Sequence, residues 1–230
     1  MRIEVQPITS HTLGDLAGTA ATSMFWLSEP GDATSAERSS DVKLDKELWM
    51  HHLLSTWGPC GFTAYVTSGD DPAAGVPAAT IVFAPSYWLP GSKNFPTAPA
   101  SPDAILISTV HVRDEFAGLF LENSLLQAVI DELTSRGVRA VEVFTRRVRD
   151  EDPEADLIAG TSYTTIPVDT PILWSDVVEQ QGFHVVAEHD DFPRYRCELS
   201  DGHSMFGAAA DASALGTPAA PTLGARWASA

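Results

Sequence analysis

The sequence predicts an α/β domain built on a mixed sheet, and three stretches carry that prediction. Ala104–Gly137 reads as a β-branched strand, a short turn ending in Ala117-Gly118 and a long amphipathic helix, and Val138–Thr145 (VRAVEVFT) returns as another strand. Strand, helix and strand in that order make a right-handed parallel unit. Upstream, Gly61–Thr67 (GFTAYVT) and Ala78–Ala84 (AATIVFA) flank a turn rich in Asp, Pro and Gly, the pattern of an antiparallel hairpin. Downstream, FHVVAEH and Arg194–Leu199 (RYRCEL) form a second hairpin. Parallel and antiparallel pairs in one chain give a mixed central sheet of about seven strands, flanked by about four helices.

Taken in order, Ile3, Val5 and Ile8 around Glu4 and Gln6 predict a first strand ending at Pro7. Leu13, Leu16, Ala17, Ala20, Met24 and Phe25 are spaced for one helix face, with Ser10 or Thr9 as N-cap. Ser28 to Asp41 has almost nothing to bury and reads as a flexible loop. Leu44, Leu48, Leu53, Leu54 and Trp57 mark a second helix, stopped by Gly58-Pro59. After the hairpin, Pro85 to Asp103 is a proline-rich loop whose rings Tyr87, Trp88 and Phe95 suggest that it folds over something.

The strand from Ala104 to Val112 is nearly continuous apolar at its start, as suits a central strand covered on both faces. In the helix after it, Leu121, Leu125, Leu126, Val129, Ile130 and Leu133 recur at three- and four-residue steps, and Gly137 is a natural C′ residue. Arg146 to Thr165 reads as another loop, Pro171 to Gln181 as a short helix ended by Gly182, and Gly207–Ala230 as a disordered tail. The expected organisation is therefore one domain over residues 1–200 and a low-complexity Ala/Gly/Ser/Pro tail over 201–230.

Composition narrows the function classes. With 44% hydrophobic and 20% charged residues the chain is ordinary for a folded protein, but its formal net charge is −17. That balance speaks against nucleic acid or an anionic membrane as partner, and it is compatible with a cationic substrate such as an amine. The N-terminus lacks the basic lead and apolar segment of a signal peptide, and no apolar run could cross a bilayer. Cys60 and Cys197, without metal spacing, fit free thiols in a reducing cytoplasm. His51-His52 is adjacent rather than four apart, so it is no helical metal pair and no metal site is expected. Neither Ser108 nor Ser124 has a His and an Asp at meaningful spacing.

A helix that opens directly after a strand aims its free N–H groups and positive dipole end at one spot, where a phosphate can sit. Here that spot is Gly118–Asn123. Together with the order of elements, the stretch V-R-D-E-F-A-G-L-F-L-E-N-S-L-L (Val112–Leu126) resembles the GNAT superfamily of CoA-dependent N-acetyltransferases, whose pattern is V-x-x-x-(Y/F)-R-G-x-G-x-G-x-x-L-L. The step Glu179-Gln180-Gln181-Gly182-Phe183 is similar to that family's Y-E-K-x-G-F. Phe25-Trp26, Trp57-Gly58-Pro59-Cys60-Gly61, Phe95-Pro96-Thr97, Ser101-Pro102-Asp103-Ala104 and Pro193-Arg194-Tyr195-Arg196 resemble an actinobacterial branch. The resemblance covers roughly residues 1–200.

It implies acetyl-CoA as co-substrate, bound where the fourth and fifth strands splay apart. Pantetheine would pair with the backbone at Val110 and Val112, and pyrophosphate would meet the amides of Ala117, Gly118, Leu119, Phe120, Glu122 and Asn123. It also implies direct attack of a primary amine, on a small molecule or a protein, and makes a homodimer plausible. Gly118 stands at the first loop glycine, Phe120 and Glu122 replace the next two, and Ala117 replaces the usual arginine.

Helix-start residues ordinarily have negative φ, so the need for glycine reads as close backbone approach, with the Phe120 ring turned into the core. A Glu122 carboxylate about 5 Å from a phosphate costs on the order of 3 kcal/mol at an effective dielectric near 20. The family's acidic tyrosine falls on Val178; the candidates for the base are Glu142 on the fifth strand and His111 at the end of the fourth. The competing reading is a degenerate domain of this fold without CoA binding, acting as a regulatory or protein-interaction module.

Overall fold

The structure, a computed structural model, describes residues 1–30, 41–67, 75–147, 166–167 and 169–199. The expected tail and most of the expected loops at 28–41 and 146–165 lie outside the described residues. The expected mixed sheet is present, with eight strands among the described residues: β1 (Arg2–Pro7), β2 (Gly61–Thr67), β3 (Val76–Pro85), β4 (Ala104–Val112), β5 (Ala140–Arg146), β6 (Leu173–Trp174), β7 (His184–Ala187) and β8 (Arg194–Glu198). Their order is β1-β2-β3-β4-β5-β8-β7, with β6 paired to β5 off this path. β4 and β5 run parallel, as do β5 and β6; the other pairs are antiparallel.

Three α-helices stand among the described residues: α1 (Val42–Thr56), α2 (Leu121–Ser135) and α3 (Ser175–Gln180). No helix among these residues is long and apolar enough to cross a membrane. Asp41 caps α1 by accepting the Leu44 N–H at 3.0 Å. α2 ends in a Schellman turn, with Gly137 at φ +68° and the Val138 N–H donating to Leu133 O at 3.0 Å. The apolar face of α2, Leu121, Leu125, Leu126, Val129 and Leu133, is fully buried on one side of the sheet against Ile81, Val141 and Val143.

The other side carries a second core, built on the stack of Trp26, Phe95 and Phe144. Phe95 lies 5.3 Å from the Trp26 ring centroid and 4.4 Å from that of Phe144. Thus Phe95 and Trp88 of the proline-rich loop pack on this core, whereas Tyr87 stays exposed. Lys46 of α1 is buried in the same layer, its Nζ donating to Ser23 O at 3.2 Å and lying 5.3 Å from the Trp49 ring centroid. Burial lowers its pKa to about 8, with Cys60 acting in the opposite direction.

Two expectations of secondary structure are corrected. The helix expected from Leu13 to Phe25 is instead three 3-10 turns, Leu13–Asp15, Gly18–Ala20 and Phe25–Leu27. Its spacing was a true sign of burial, since Leu13, Leu16, Ala17 and Ala20 are all in the core. Gly18 sits at φ +47°, which interrupts a right-handed helix, and the Ala17 N–H is drawn to Thr80 Oγ1 at 2.9 Å. The second correction lies at Pro171–Gln181, where only Ser175–Gln180 is helical and Leu173–Trp174 is a strand. There, pairing with β5 overrides local propensity.

Phe95 touches both the sheet and the 3-10 segment through its stack. Phe95→Ala is expected to destabilise the domain by about 3–5 kcal/mol, measured by urea denaturation with an unchanged m-value.

Candidate functional site

The site begins with a bend in β4. Register between β3 and β4 steps from Val82↔Thr109 to Phe83↔Ile107, so Ser108 is the extra residue of a bulge, its hydroxyl donating to Val82 O at 3.1 Å. Below the bulge, Ala104–Ile107 pairs with Ala140–Val143; above it the two parallel strands separate. β4 continues to Val112 and β5 to Arg146, leaving a wedge between them. The Arg113 N–H donates to Ala78 O of β3 at 2.9 Å, so by the alternation of the strand the amides of Val110 and Val112 both point away from β3, into the wedge. Here the structure brings Val110 and Val112 to one edge.

The wedge is filled by the chain itself. The Val110 N–H donates to Pro171 O at 3.0 Å, while Leu173 and Trp174 pair in parallel with Thr145 and Arg146. Thr170, Pro171 and Leu173 are buried there.

Above the wedge lies the turn into α2. Ala117, Leu119 and Asn123 spend their N–H groups on Asp114, Phe116 and Phe120 carbonyls at 3.1, 3.3 and 3.2 Å. The amides of Gly118, Phe120, Leu121 and Glu122 donate to no protein acceptor among the described residues. Four free donors at a helix start form an anion shelf. Gly118 has φ +82° and Phe120 has φ +54°, ψ +36°. This corrects two expectations: the second position calls for glycine because of a left-handed backbone, and the Phe120 ring is 70% exposed rather than packed in the core. Glu122 is half-buried in the first turn of the helix.

His111, one residue along β4, faces the opposite side of the sheet. Its Nδ1 lies 3.0 Å from Thr19 Oγ1, and its ring rests so closely on Gly18 that a Cβ there would lie 1.9 Å from Nε2. Partial burial lowers its pKa below the ordinary value; Asp114 opposes the shift and Arg113 adds to it. His111 is therefore neutral at pH 7.

Glu142 is not beside it. The Glu142 side chain is fully buried, Oε2 accepting from Arg194 Nη1 at 2.6 Å and from the Ser101 N–H at 3.0 Å, Oε1 from Arg196 Nη1 at 3.1 Å. Arg196 also binds Asp103 at 3.0 Å and Glu198 at 2.7 Å. Burial pushes the Glu142 pKa up, but the bonds from Ser101 and the two arginines prevail and hold it below the usual carboxylate range. Glu142 thus sits in a buried ionic knot that staples Ser101–Asp103 to β5 and β8.

Val178, where the sequence resemblance leads one to expect an acidic tyrosine, is buried in the core and offers no proton. Sequence reasoning passed over a tyrosine on the adjacent strand. The buried Tyr195 of β8 donates its hydroxyl to Glu179, and burial and Glu179 raise its pKa, against Arg147 and Ser175. Ser175 in turn lies 2.9 Å from Thr145 Oγ1, beside the residues that pair with β6. The only sequence signal was the R-Y-R alternation of the last strand, which shows that Tyr195 faces opposite to its arginines. Among the described residues, no group of three His, Cys, Asp or Glu is placed to hold a metal ion.

No protein-family model and no curated protein matches this sequence. Among solved structures the fold is similar to an N-acetyltransferase from Staphylococcus aureus Mu50, at 13% identity and TM-score 0.47 over 87% of this chain and 100% of that one. It is similar to the NatC complex bound to Gag peptide and CoA, at 14% identity and TM-score 0.46 over 87% and 100%. It is also similar to the PaiA N-acetyltransferase from Thermoplasma acidophilum in complex with coenzyme A, at 10% identity and TM-score 0.46 over 86% and 99%. At such identities no residue-by-residue correspondence follows.

Two stability measurements probe this arrangement. Phe120→Gly removes a side chain from a left-handed backbone and gives up little packing, so thermal melts should show a gain of about 1 kcal/mol. Glu142→Gln leaves two arginines facing a neutral amide and should cost about 3 kcal/mol at neutral pH. Because the folded-state pKa is depressed, the wild-type advantage is present above the ordinary glutamate value and lost as pH falls through the lower folded value. The gap between the two proteins should therefore close in acid.

Proposed function

We propose that this domain moves an acetyl group from acetyl-CoA to a primary amine on a small molecule or a protein. The observation that carries the reading is the juxtaposition, on one strand–turn–helix unit, of a parting pair of strands and four amides without acceptors. A pyrophosphate fits the shelf of Gly118, Phe120, Leu121 and Glu122, where the helix dipole adds to the amide donors. An extended, amide-bearing arm suits the β4 edge at Val110 and Val112, because its carbonyls can take the inward-facing N–H groups. Acetyl-CoA would supply an acyl group already activated as a thioester.

The chain's own residues orient and move protons. His111, neutral at pH 7, is the better base of the two expected candidates, because both Glu142 oxygens are already committed to arginines. The Tyr195 hydroxyl, kept protonated by its surroundings, is the acid we assign in place of Val178. The negative net charge favours a cationic amine at the approach to the cleft.

A second reading has a specific observation behind it. The Val110 amide is already taken by Pro171, and Glu122 adds a carboxylate to the shelf, which favours a regulatory or protein-interaction module that has lost CoA.

A thermal melt separates the two readings. Acetyl-CoA at a hundred times its dissociation constant should add about 2.7 kcal/mol, and Glu122→Gln should enlarge the shift. No shift at millimolar acetyl-CoA, in wild type and in Trp174→Gly alike, would overturn the enzyme reading. With an amine supplied, free-thiol release should rise with pH and reach half of its plateau below the ordinary histidine value of about 6.5, since burial lowers the His111 pKa. His111→Ala should lower kcat by about a hundredfold.

A further inference from the structure

The wedge between β4 and β5 holds residues 170–174 in the manner of a ligand. On the β4 side the contact among the described residues is one hydrogen bond, from the Val110 N–H to Pro171 O at 3.0 Å. On the β5 side it is a two-residue parallel register, Leu173 and Trp174 against Thr145 and Arg146. Between these contacts the segment turns sharply, the Ile172 N–H donating to Thr170 O at 2.9 Å. Leu173 is 2% exposed and packs into the α2 side of the core, while the Trp174 side chain remains half in solvent.

This hold is incomplete. Proline has no N–H, so Pro171 answers one β4 donor and offers none in return. The Thr170 hydroxyl is buried without a hydrogen-bond partner among the described residues. A buried hydroxyl left unpaired opposes burial, and it marks a segment that fits the wedge in outline more than in detail. By contrast, the amides of Gly118, Phe120, Leu121 and Glu122 on the shelf donate to no protein acceptor among the described residues. The shelf thus keeps its donors free while the wedge is closed by the chain itself.

We propose that Thr170–Trp174 is a self-occupying strand, mutually exclusive with the extended arm of an acyl-CoA, so that the resting domain is closed and CoA must displace its own chain to bind. The proposal rests on the acyltransferase reading. It requires that Leu173 leave its core position and that the Val110 N–H exchange Pro171 O for a ligand carbonyl. Apparent affinity is then reduced by the fraction of molecules in which the wedge is open.

Calorimetric titration with acetyl-CoA and amide hydrogen exchange test it together. In the wild type, saturating acetyl-CoA should raise exchange at Leu173 and Trp174 by tenfold or more while Val110 stays protected. Trp174→Gly, which weakens the β5 pairing without touching the core, should tighten the dissociation constant by about tenfold if the wedge is open in one molecule in ten or fewer. Leu173→Gly should tighten it further, provided its melt shows a folded domain; the wild-type exchange experiment decides the matter if it does not. Binding to wild type and Trp174→Gly with equal affinity, or binding that leaves Leu173 and Trp174 protected, would overturn the self-occupation and leave the acyltransferase reading standing. Binding to neither protein would overturn both.

Discussion

The separation of β4 from β5 is the constraint on which the rest of the molecule turns. A parallel pair that ends after four residues leaves two inner strand edges with unmet backbone groups, and such groups must find partners. The bulge at Ser108 starts the separation, and the helix α2 that follows β4 starts above it. The shelf of free amides opens the helix that follows β4, and Thr145, bonded to Ser175, pairs with the strand that fills the wedge. The short strand Leu173–Trp174 exists only because the opening is there to receive it.

The lower half of the same two strands is locked. Where β4 and β5 do pair, Glu142 gathers Arg194, Arg196 and the Ser101 amide into one buried knot, and the stacked rings of Trp26, Phe95 and Phe144 cover the same face. The contrast is physical. Charged and aromatic contacts fix one end of the sheet, and a single hydrogen bond with a two-residue register closes the other. A domain made this way can open at one end without loosening elsewhere.

Much of this was legible in the sequence. The apolar steps of α2, the glycine at 137 and the near-continuous hydrophobicity of Ala104–Ile107 encode local geometry, and each appears in the structure where the pattern placed it. The segment at Leu13–Phe25 shows the limit: three- and four-residue spacing reports burial, and burial can be met by 3-10 turns when a glycine at positive φ breaks the helix. Phe120 misled differently, because a left-handed backbone at a phenylalanine leaves no trace in composition. Glu142 and Tyr195 depend on partners more than a dozen residues away, Arg194 and Arg196 for one and Glu179 for the other, and pairings at that range are not written in local pattern. The filled wedge was the least accessible of all. A P-I-L-W-S-D run reads as a helix entry until a strand edge competes for it.

Pro171 has a consequence that does not depend on any ligand. Two bare strand edges inside a sheet are templates on which strands of other molecules can add, the first step of aggregation. By lying in the opening, Thr170–Trp174 covers the β5 edge at Thr145 and Arg146 and takes the Val110 donor of β4, and because proline presents no donor the inserted strand cannot extend the ladder on its β4 side. The residues that close the wedge are therefore also what keep the sheet from recruiting copies of itself while nothing else is bound.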